Sequence, residues 1–298
     1  MMHSIMACVH QSNITKVGFS NVAKSPGQYT LPRYEKKRFM AEVTTHITTA
    51  QSGEGQHTRR LWLVRHGLTE WNTQQRYCGH RDIPLSAQGR VQALWLAERL
   101  QKEMICAIYT SDLVRARETA EIIARHRTPA VQIRVSGAWR EIDFGDWEGL
   151  TYVQIAEQFK DQLGFFSDPE HCSPPNGEPL AHMQQRVMDA LSAIVQGDDL
   201  PTAGDAVIVS HGGPLRIMLC SLLGMPLQRQ WQLRLDPGSL SAIDLLPVHK
   251  PTVPHVVLAL LNDQHAMPTD HTAKSPASTG AASWNPENRR EQGTTRDV

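Results

Sequence analysis

Cysteine is scarce and shows no pairing pattern. The five cysteines, Cys8, Cys78, Cys106, Cys172 and Cys220, are odd in number and scattered, and none forms a CxxC pair. That argues against a disulfide framework or a structural zinc site and for the reduced thiols of a cytoplasmic protein. Metal-ligand spacing is missing as well. There is no HExxH and no cluster of His with Asp, so neither a metal nor another cofactor is expected. No apolar run approaches the roughly 20 residues that a membrane span needs. Charge of one sign is not in excess either: 30 Lys and Arg balance 30 Asp and Glu. No basic stripe marks a nucleic-acid partner. No internal repeat appears. What is there is a chain of 298 residues, 40% hydrophobic, enough for one or two domains and one sizeable core.

The composition is uneven along the chain. Residues 1–58 are rich in Ser, Thr, Gln, Lys and His and carry little periodic apolar pattern. Their basic cluster (Arg33, Lys36, Lys37, Arg38) comes late, and no apolar targeting segment follows a charged start. A disordered extension is expected there, with Met40 as a second plausible start. Residues 267–298 are polar, contain one isolated tryptophan, Trp284, and are expected to form a disordered tail. Residues 59–266 are left as the folded, mildly acidic unit.

Within that unit, Leu61–Val64, Ile105–Tyr109 and Ala206–Val209 are short apolar runs without alternation. This is the pattern of parallel strands covered on both faces. Helical stripes lie between them: Val91, Leu94, Ala97 and Leu100 with Trp95; Leu113, Ala116, Ala120 and Ile123; Met183, Val187, Leu191 and Ile194. Ser86 and Ser111 stand at the expected N-caps. Two further runs, 239–245 and 256–261, read as later strands. Alternation of strands and helices predicts an α/β fold with a mostly parallel sheet. The Pro- and Gly-containing stretches 167–179 and 236–238 are expected loops, the first long enough to serve as a substrate wall.

Each apolar run ends in polar residues. The first leads into Arg65-His66-Gly67, then Thr69 and Asn72. The second leads into Ser111 and a helix bearing Arg115. The third leads into His211-Gly212-Gly213. Ligands of open α/β sheets bind beyond the carboxyl ends of the strands, so two histidines and two arginines far apart in sequence are expected to converge. Two guanidinium forks suit a phosphoryl group, a neutral imidazole is a competent nucleophile, and glycines beside the histidines allow close approach. Glu141, leading the segment Glu141–Gly149, is the candidate general acid. His80, His126 and His182 read as structural or surface residues. Tyr77, Trp147, Tyr152, Phe165 and Phe166 are candidate substrate-wall aromatics, although large apolar side chains more often belong to the core.

The blocks LVRHGLTEWN (63–72), YTSDLVRARETA (109–120), REIDFGDWEGLTY (140–152) and VSHGGPLR (209–216) resemble, in order, the four signature blocks of the histidine phosphatase, or phosphoglycerate mutase-like, superfamily. The resemblance implies a phosphoglycerate mutase-like fold, a three-layer α/β/α sandwich, and a phosphohistidine formed on His66. It implies a phosphate pocket of Arg65, Arg115 and His211, with Asn72 at its edge, and Glu141 as proton donor. Gly79 and Gly212 are carried along as substrate-binding positions. The blocks RYCGHRDIPLSAQG (76–89), LDPGSLSAIDL (235–245) and LNDQHAM (261–267) resemble those of the family's α-ribazole phosphatases. The implied substrate is α-ribazole 5′-phosphate or adenosylcobalamin 5′-phosphate, a small phosphorylated compound. The alternatives are a broad-specificity phosphatase of sugar or glycerate phosphates and, behind it, a phosphoglycerate mutase. The paired arginines that mutases carry after the acid have no counterpart before Cys172. A binding module without catalysis would need the nucleophile or the acid to be missing, and both are present.

Overall fold

The computed structural model describes residues 59–196, 204–246 and 256–268. The expected N-terminal extension, and the tail beyond Pro268, lie outside these residues. Six strands form one sheet: β1 (Arg59–Arg65), β2 (Ile105–Thr110), β3 (Ile133–Val135), β4 (Asp205–Ser210), β5 (Leu240–Leu245) and β6 (Val256–Asp263). Their order across the sheet is β3-β2-β4-β1-β5-β6. The first four are parallel, and β5 and β6 join antiparallel at one side. The sheet is therefore mixed, with a parallel centre.

The helices are α1 (Glu70–Thr73), α2 (Ala87–Arg99), α3 (Val114–Arg125), α4 (Tyr152–Gln158), α5 (Leu180–Gln196) and α6 (Gly212–Leu223). Because strand side chains alternate between faces, each apolar run serves two cores. Leu61, Leu63, Ala206 and Ile208 pack with Met183, Val187 and Leu191 of α5 and with Leu215 and Leu219 of α6. Trp62, Val64, Val207 and Val209 pack with Leu96 and Ala97 of α2 and with Ala116 and Ala120 of α3. Two helical layers thus enclose the sheet, which explains why its central strands carry no polar alternation. No helix among the described residues is long and apolar enough to cross a membrane.

Three local expectations need correction. The α2 stripe holds only in part: Trp95, Ala97 and Leu100 are buried, but Val91 and Leu94 are exposed at 37% and 43%, and Gly89, Gln92, Ala93 and Leu96 face inward instead. A side chain at Gly89 would collide with the Leu68 backbone, and Gln92 Oε1 accepts the Leu68 N–H at 2.7 Å. A glycine contact and a buried amide therefore set the inner face, and neither registers in a hydrophobic pattern. Ser86 caps α2 as expected, accepting the Gly89 N–H. Ser111 does not cap α3, whose N-cap is Leu113; its hydroxyl instead accepts the Leu113 N–H at 3.3 Å. Finally, the globular unit runs past 266. Met267 packs against the second core, and the Pro268 carbonyl accepts from Gln88 Nε2.

The strand β3 has only three half-exposed residues, too few to announce itself by periodicity. The stretch 167–179 is irregular, as expected, and lies against the 143–146 segment. The Pro175 carbonyl accepts the Asp146 N–H and the Asp143 carbonyl accepts the Glu178 N–H, each at 2.9 Å.

Candidate active site

Parallel pairing puts Arg65 opposite Ser210 and Thr110 opposite Val209. The chain leaves β1, β4 and β2 at one edge of the sheet, so His66, His211 and Ser111 are neighbours there. The His66 N–H extends the ladder to the Ser210 carbonyl at 3.0 Å. The two imidazoles are buried and lie with ring centres 4.9 Å apart. His211 is also the N-cap of α6.

The hydrogen bonds assign opposite tautomers to the two rings. His66 Nδ1 lies 2.7 Å from the Gly67 carbonyl. A carbonyl can only accept, so Nδ1 carries the proton and Nε2 keeps its lone pair. His211 Nδ1 lies 3.2 Å from Arg115 Nε. An arginine Nε–H can only donate, so here Nδ1 is the acceptor and Nε2 carries the proton. That His211 Nε2 is buried without a partner, and so is Arg65 Nε. A buried donor left unpaired costs free energy, so two orphan N–H groups beside a free imidazole lone pair describe a site made for an oxyanion.

Electrostatics fit that reading. Burial first, then the Arg115 and Arg65 charges, hold His66 well below the ordinary imidazole range. Burial, Arg115 and the second ring do the same to His211. Both rings are neutral at pH 7, a state in which one can act as a nucleophile and the other as a neutral donor. Arg65 is lowered to about 10 by burial and then by the nearby Arg216, and stays charged. Its Nη1 donates to the Leu235 carbonyl at 2.5 Å. Arg115 is fully buried and spends its Nη1 and Nη2 on the Arg81 and Gly79 carbonyls at 2.8 and 2.7 Å. It therefore holds His211 and the 78–81 turn together.

Glu141 comes from the segment that follows β3, and is also buried. One oxygen accepts the Ile142 N–H at 2.9 Å, and the carboxylate accepts the Gly213 N–H at the start of α6 at 3.1 and 3.2 Å. A side chain at Gly213 would occupy the place of the Glu141 carboxylate. The glycine thus lets the carboxylate meet the positive end of α6. The Glu141 backbone is clamped as well, its carbonyl accepting from Arg186 Nη2 and His80 Nε2, each at 3.0 Å. Arg186 also binds the Ala138 and Arg140 carbonyls and forms a two-pronged ion pair with Glu178, both contacts at 2.7 Å.

The peripheral residues take different places. Asn72 Oδ1 accepts from Thr69 in the capping box of α1. Gly79 sits between Ile142 and Glu148, where a side chain would collide with both, and its carbonyl supports Arg115. A side chain on Gly212 would begin 3.1 Å from Arg216 Nη1 and 3.4 Å from Arg65 Cζ. Of the candidate wall aromatics, Trp147 and Phe165 are fully buried. They belong to a ring cluster with Tyr77, Phe144, Phe159 and Phe166, and Tyr152, the one candidate that is exposed, packs on its rim against Phe166. His80 is structural but supports the Glu141 backbone, while His126 and His182 are exposed away from these contacts. Arg186 and Arg216 gave no sequence signal of their own. Arg216 lay inside the VSHGGPLR block, one helical turn beyond Gly212, and that spacing could have placed it on the same face.

The sequence model of the Histidine phosphatase superfamily (branch 1) matches residues 61–253. The chain is 34% identical over 187 residues to the adenosylcobalamin/alpha-ribazole phosphatase of Escherichia coli (strain K12), covering 62% of this chain and 90% of that one. It is also 34% identical over 188 residues to a Salmonella arizonae protein named "Probable phosphoglycerate mutase GpmB", covering 62% and 84%. Among solved structures, the alpha-ribazole phosphatase from Shigella flexneri superposes with a TM-score of 0.60 at 30% identity, over 71% of this chain and 99% of that one.

Proposed function

This chain belongs to the histidine phosphatase superfamily, branch 1, and on that premise we propose that it is a phosphomonoesterase working through a phosphohistidine at His66. The observation that carries the proposal is the pair of opposed tautomers. A lone pair on His66 Nε2 stands beside two buried, unpartnered donors, His211 Nε2–H and Arg65 Nε–H. In the proposed reaction His66 Nε2 attacks phosphorus, forming the N–P bond as the ester P–O bond breaks. Glu141 in its acid form gives its proton to the departing alkoxide. As a carboxylate it then takes a proton from water, whose oxygen attacks phosphorus. The N–P electron pair returns to His66, and inorganic phosphate leaves. Arg65, His211 and the remaining donor capacity of Arg115 stabilise charge on the equatorial oxygens.

The proposed substrate is α-ribazole 5′-phosphate or adenosylcobalamin 5′-phosphate. The likeness to proteins so named supports it, and so does the charge pattern after the acid. From Ile142 to Gln185 the chain has no arginine and one lysine, Lys160. Arg186 is committed to Glu178 and to backbone carbonyls. No pair of cations is left there for the carboxylate of a phosphoglycerate. We expect kcat/KM for α-ribazole 5′-phosphate to exceed that for 3-phosphoglycerate by at least about a hundredfold, some 2.7 kcal/mol of differential transition-state binding. Phosphoglycerate mutase activity should be undetectable. Comparable efficiencies would make the enzyme a broad-specificity phosphatase, and mutase turnover would displace the hydrolase reading.

A further inference from the structure

One tryptophan stands apart from the rest. Trp62, Trp95, Trp139 and Trp147 are buried and Trp71 is half-buried, but Trp231 is 44% exposed, the only exposed tryptophan among the described residues. It lies on the short 3₁₀ turn Leu227–Gln232 that follows α6. Its edge meets Phe165, with ring centres 6.1 Å apart at 83°. The guanidinium carbon of Arg216 lies over the ring, 5.7 Å from its centre, close enough for a cation–π contact.

Arg216 ties this ring to the phosphate pocket. Its Nε donates to the Leu233 carbonyl at 2.8 Å, just beyond the Trp231 turn. Its Nη1 and the Arg65 guanidinium flank the open side of Gly212 together. Among the described residues, neither Nη group of Arg216 has a hydrogen-bond or ion-pair partner. Arg216 thus bridges the two: its guanidinium carbon is 5.7 Å from the Trp231 ring centre, and its Nη1 lies 3.1 Å from the place that a Gly212 side chain would occupy, beside Arg65. Glu141, the proposed proton donor, accepts the N–H of Gly213, the residue next to the Gly212 that Arg216 Nη1 flanks. The ring and the guanidinium edge therefore approach the pocket beside the group that would protonate the leaving oxygen.

We propose that Trp231 and Arg216 form the leaving-group subsite: the indole stacks a planar base, and the Arg216 Nη groups donate to oxygens of the sugar that joins base to phosphate. The ligand class is a nucleoside 5′-phosphate with a large flat base. This rests on the phosphatase reading and specifies it. A ring backed by a buried cation and an aromatic edge loses little freedom when it binds, and base-on-aromatic stacking tolerates many base types.

The test uses the full chain and a pair of esters that differ only by the base, α-ribazole 5′-phosphate and ribose 5-phosphate. In the wild type, kcat/KM should favour the first by at least thirtyfold. Trp231→Ala should lower kcat/KM for α-ribazole 5′-phosphate at least tenfold, about 1.4 kcal/mol, chiefly through KM. The same variant should leave ribose 5-phosphate within threefold. Trp231→Phe, which keeps a flat ring, should recover the base preference to within threefold of the wild type. An unchanged melting temperature in Trp231→Phe separates these effects from misfolding. Equal losses on both esters, or no loss on either, overturn the subsite while the phosphatase stands, and so does a wild type that treats both esters alike. A wild type that hydrolyses neither ester overturns the phosphatase reading and the subsite with it.

Discussion

The two ends of the site are built differently. At the phosphate end, His66, His211, Arg65 and Arg115 leave adjacent strands or start the helices that follow. All but Arg65 are buried by side-chain exposure, and each ring nitrogen turned toward protein has a partner of fixed direction. At the proposed leaving-group end, Trp231 is exposed on a 3₁₀ turn, and Arg216 keeps two amino groups without a partner among the described residues. The first end is fixed by sheet register, whereas the second joins a residue of α6, Arg216, to one on the short turn that follows it, Trp231, a turn that can change without disturbing the sheet. On the proposed reading, chemistry is carried by the framework and choice of ester by its margin.

The sharpest way to break this comparison is at the nucleophile. His66→Ala should abolish turnover of every ester alike, since it acts before the leaving group matters. The wild type should trap phosphate in a form labile to acid and stable to alkali. An acid-stable adduct would indicate a serine or threonine ester and refute the mechanism. Glu141→Gln is next in size, because it acts where the two ends meet. Loss of a positioned proton donor should lower kcat about 10²–10⁴-fold on an alkyl phosphate. It should cost much less on p-nitrophenyl phosphate, whose leaving group needs little protonation. Equal losses on both would make Glu141 a structural residue.

The smallest effect sharpens the comparison through stability. His66 and His211 are held below their unfolded pKa of about 6.5, so unfolding lets each ring take up a proton in acid. Their contribution is fully present above pH 6.5 and is lost as pH falls below it. The slope is up to about 1.4 kcal/mol per pH unit for each ring. His211→Gln should therefore show a shallower loss of stability between pH 6.5 and 5 than the wild type in chemical denaturation. Trp231→Ala, at the other end, should not change the slope. Identical slopes for wild type and His211→Gln would mean that the ring is protonated in the fold.

The convergence of His66, His211, Arg65 and Arg115 was legible in the sequence because they follow uninterrupted apolar runs. Strand ends are where an α/β sheet gathers ligands, and the runs made those ends visible. Trp95, Ala97 and Leu100 of α2 were legible too, but the start of its inner face was not, since Gly89 and Gln92 define it and neither is hydrophobic. The same holds for Arg186, Arg216 and Trp231. Their importance depends on partners that only folding supplies: Glu178 and the Glu141 carbonyl for Arg186, Leu233 and Gly212 for Arg216. Trp147 and Phe165 show the converse. Their composition suits a substrate wall, but they are inside, where rings of that size bury most apolar area.

The opposed tautomers also bear on proton traffic. An imidazole can relay a proton only by taking one up at one nitrogen and releasing it from the other. His66 has its Nδ1 proton held against the Gly67 carbonyl, and His211 has its Nδ1 lone pair occupied by the Arg115 Nε–H. Both rings are therefore closed to relay from behind, and the phosphate end is electrically responsive but proton-insulated. In the proposed reaction every proton exchanged with solvent passes through Glu141, so a solvent isotope effect on turnover reports on that one carboxyl group.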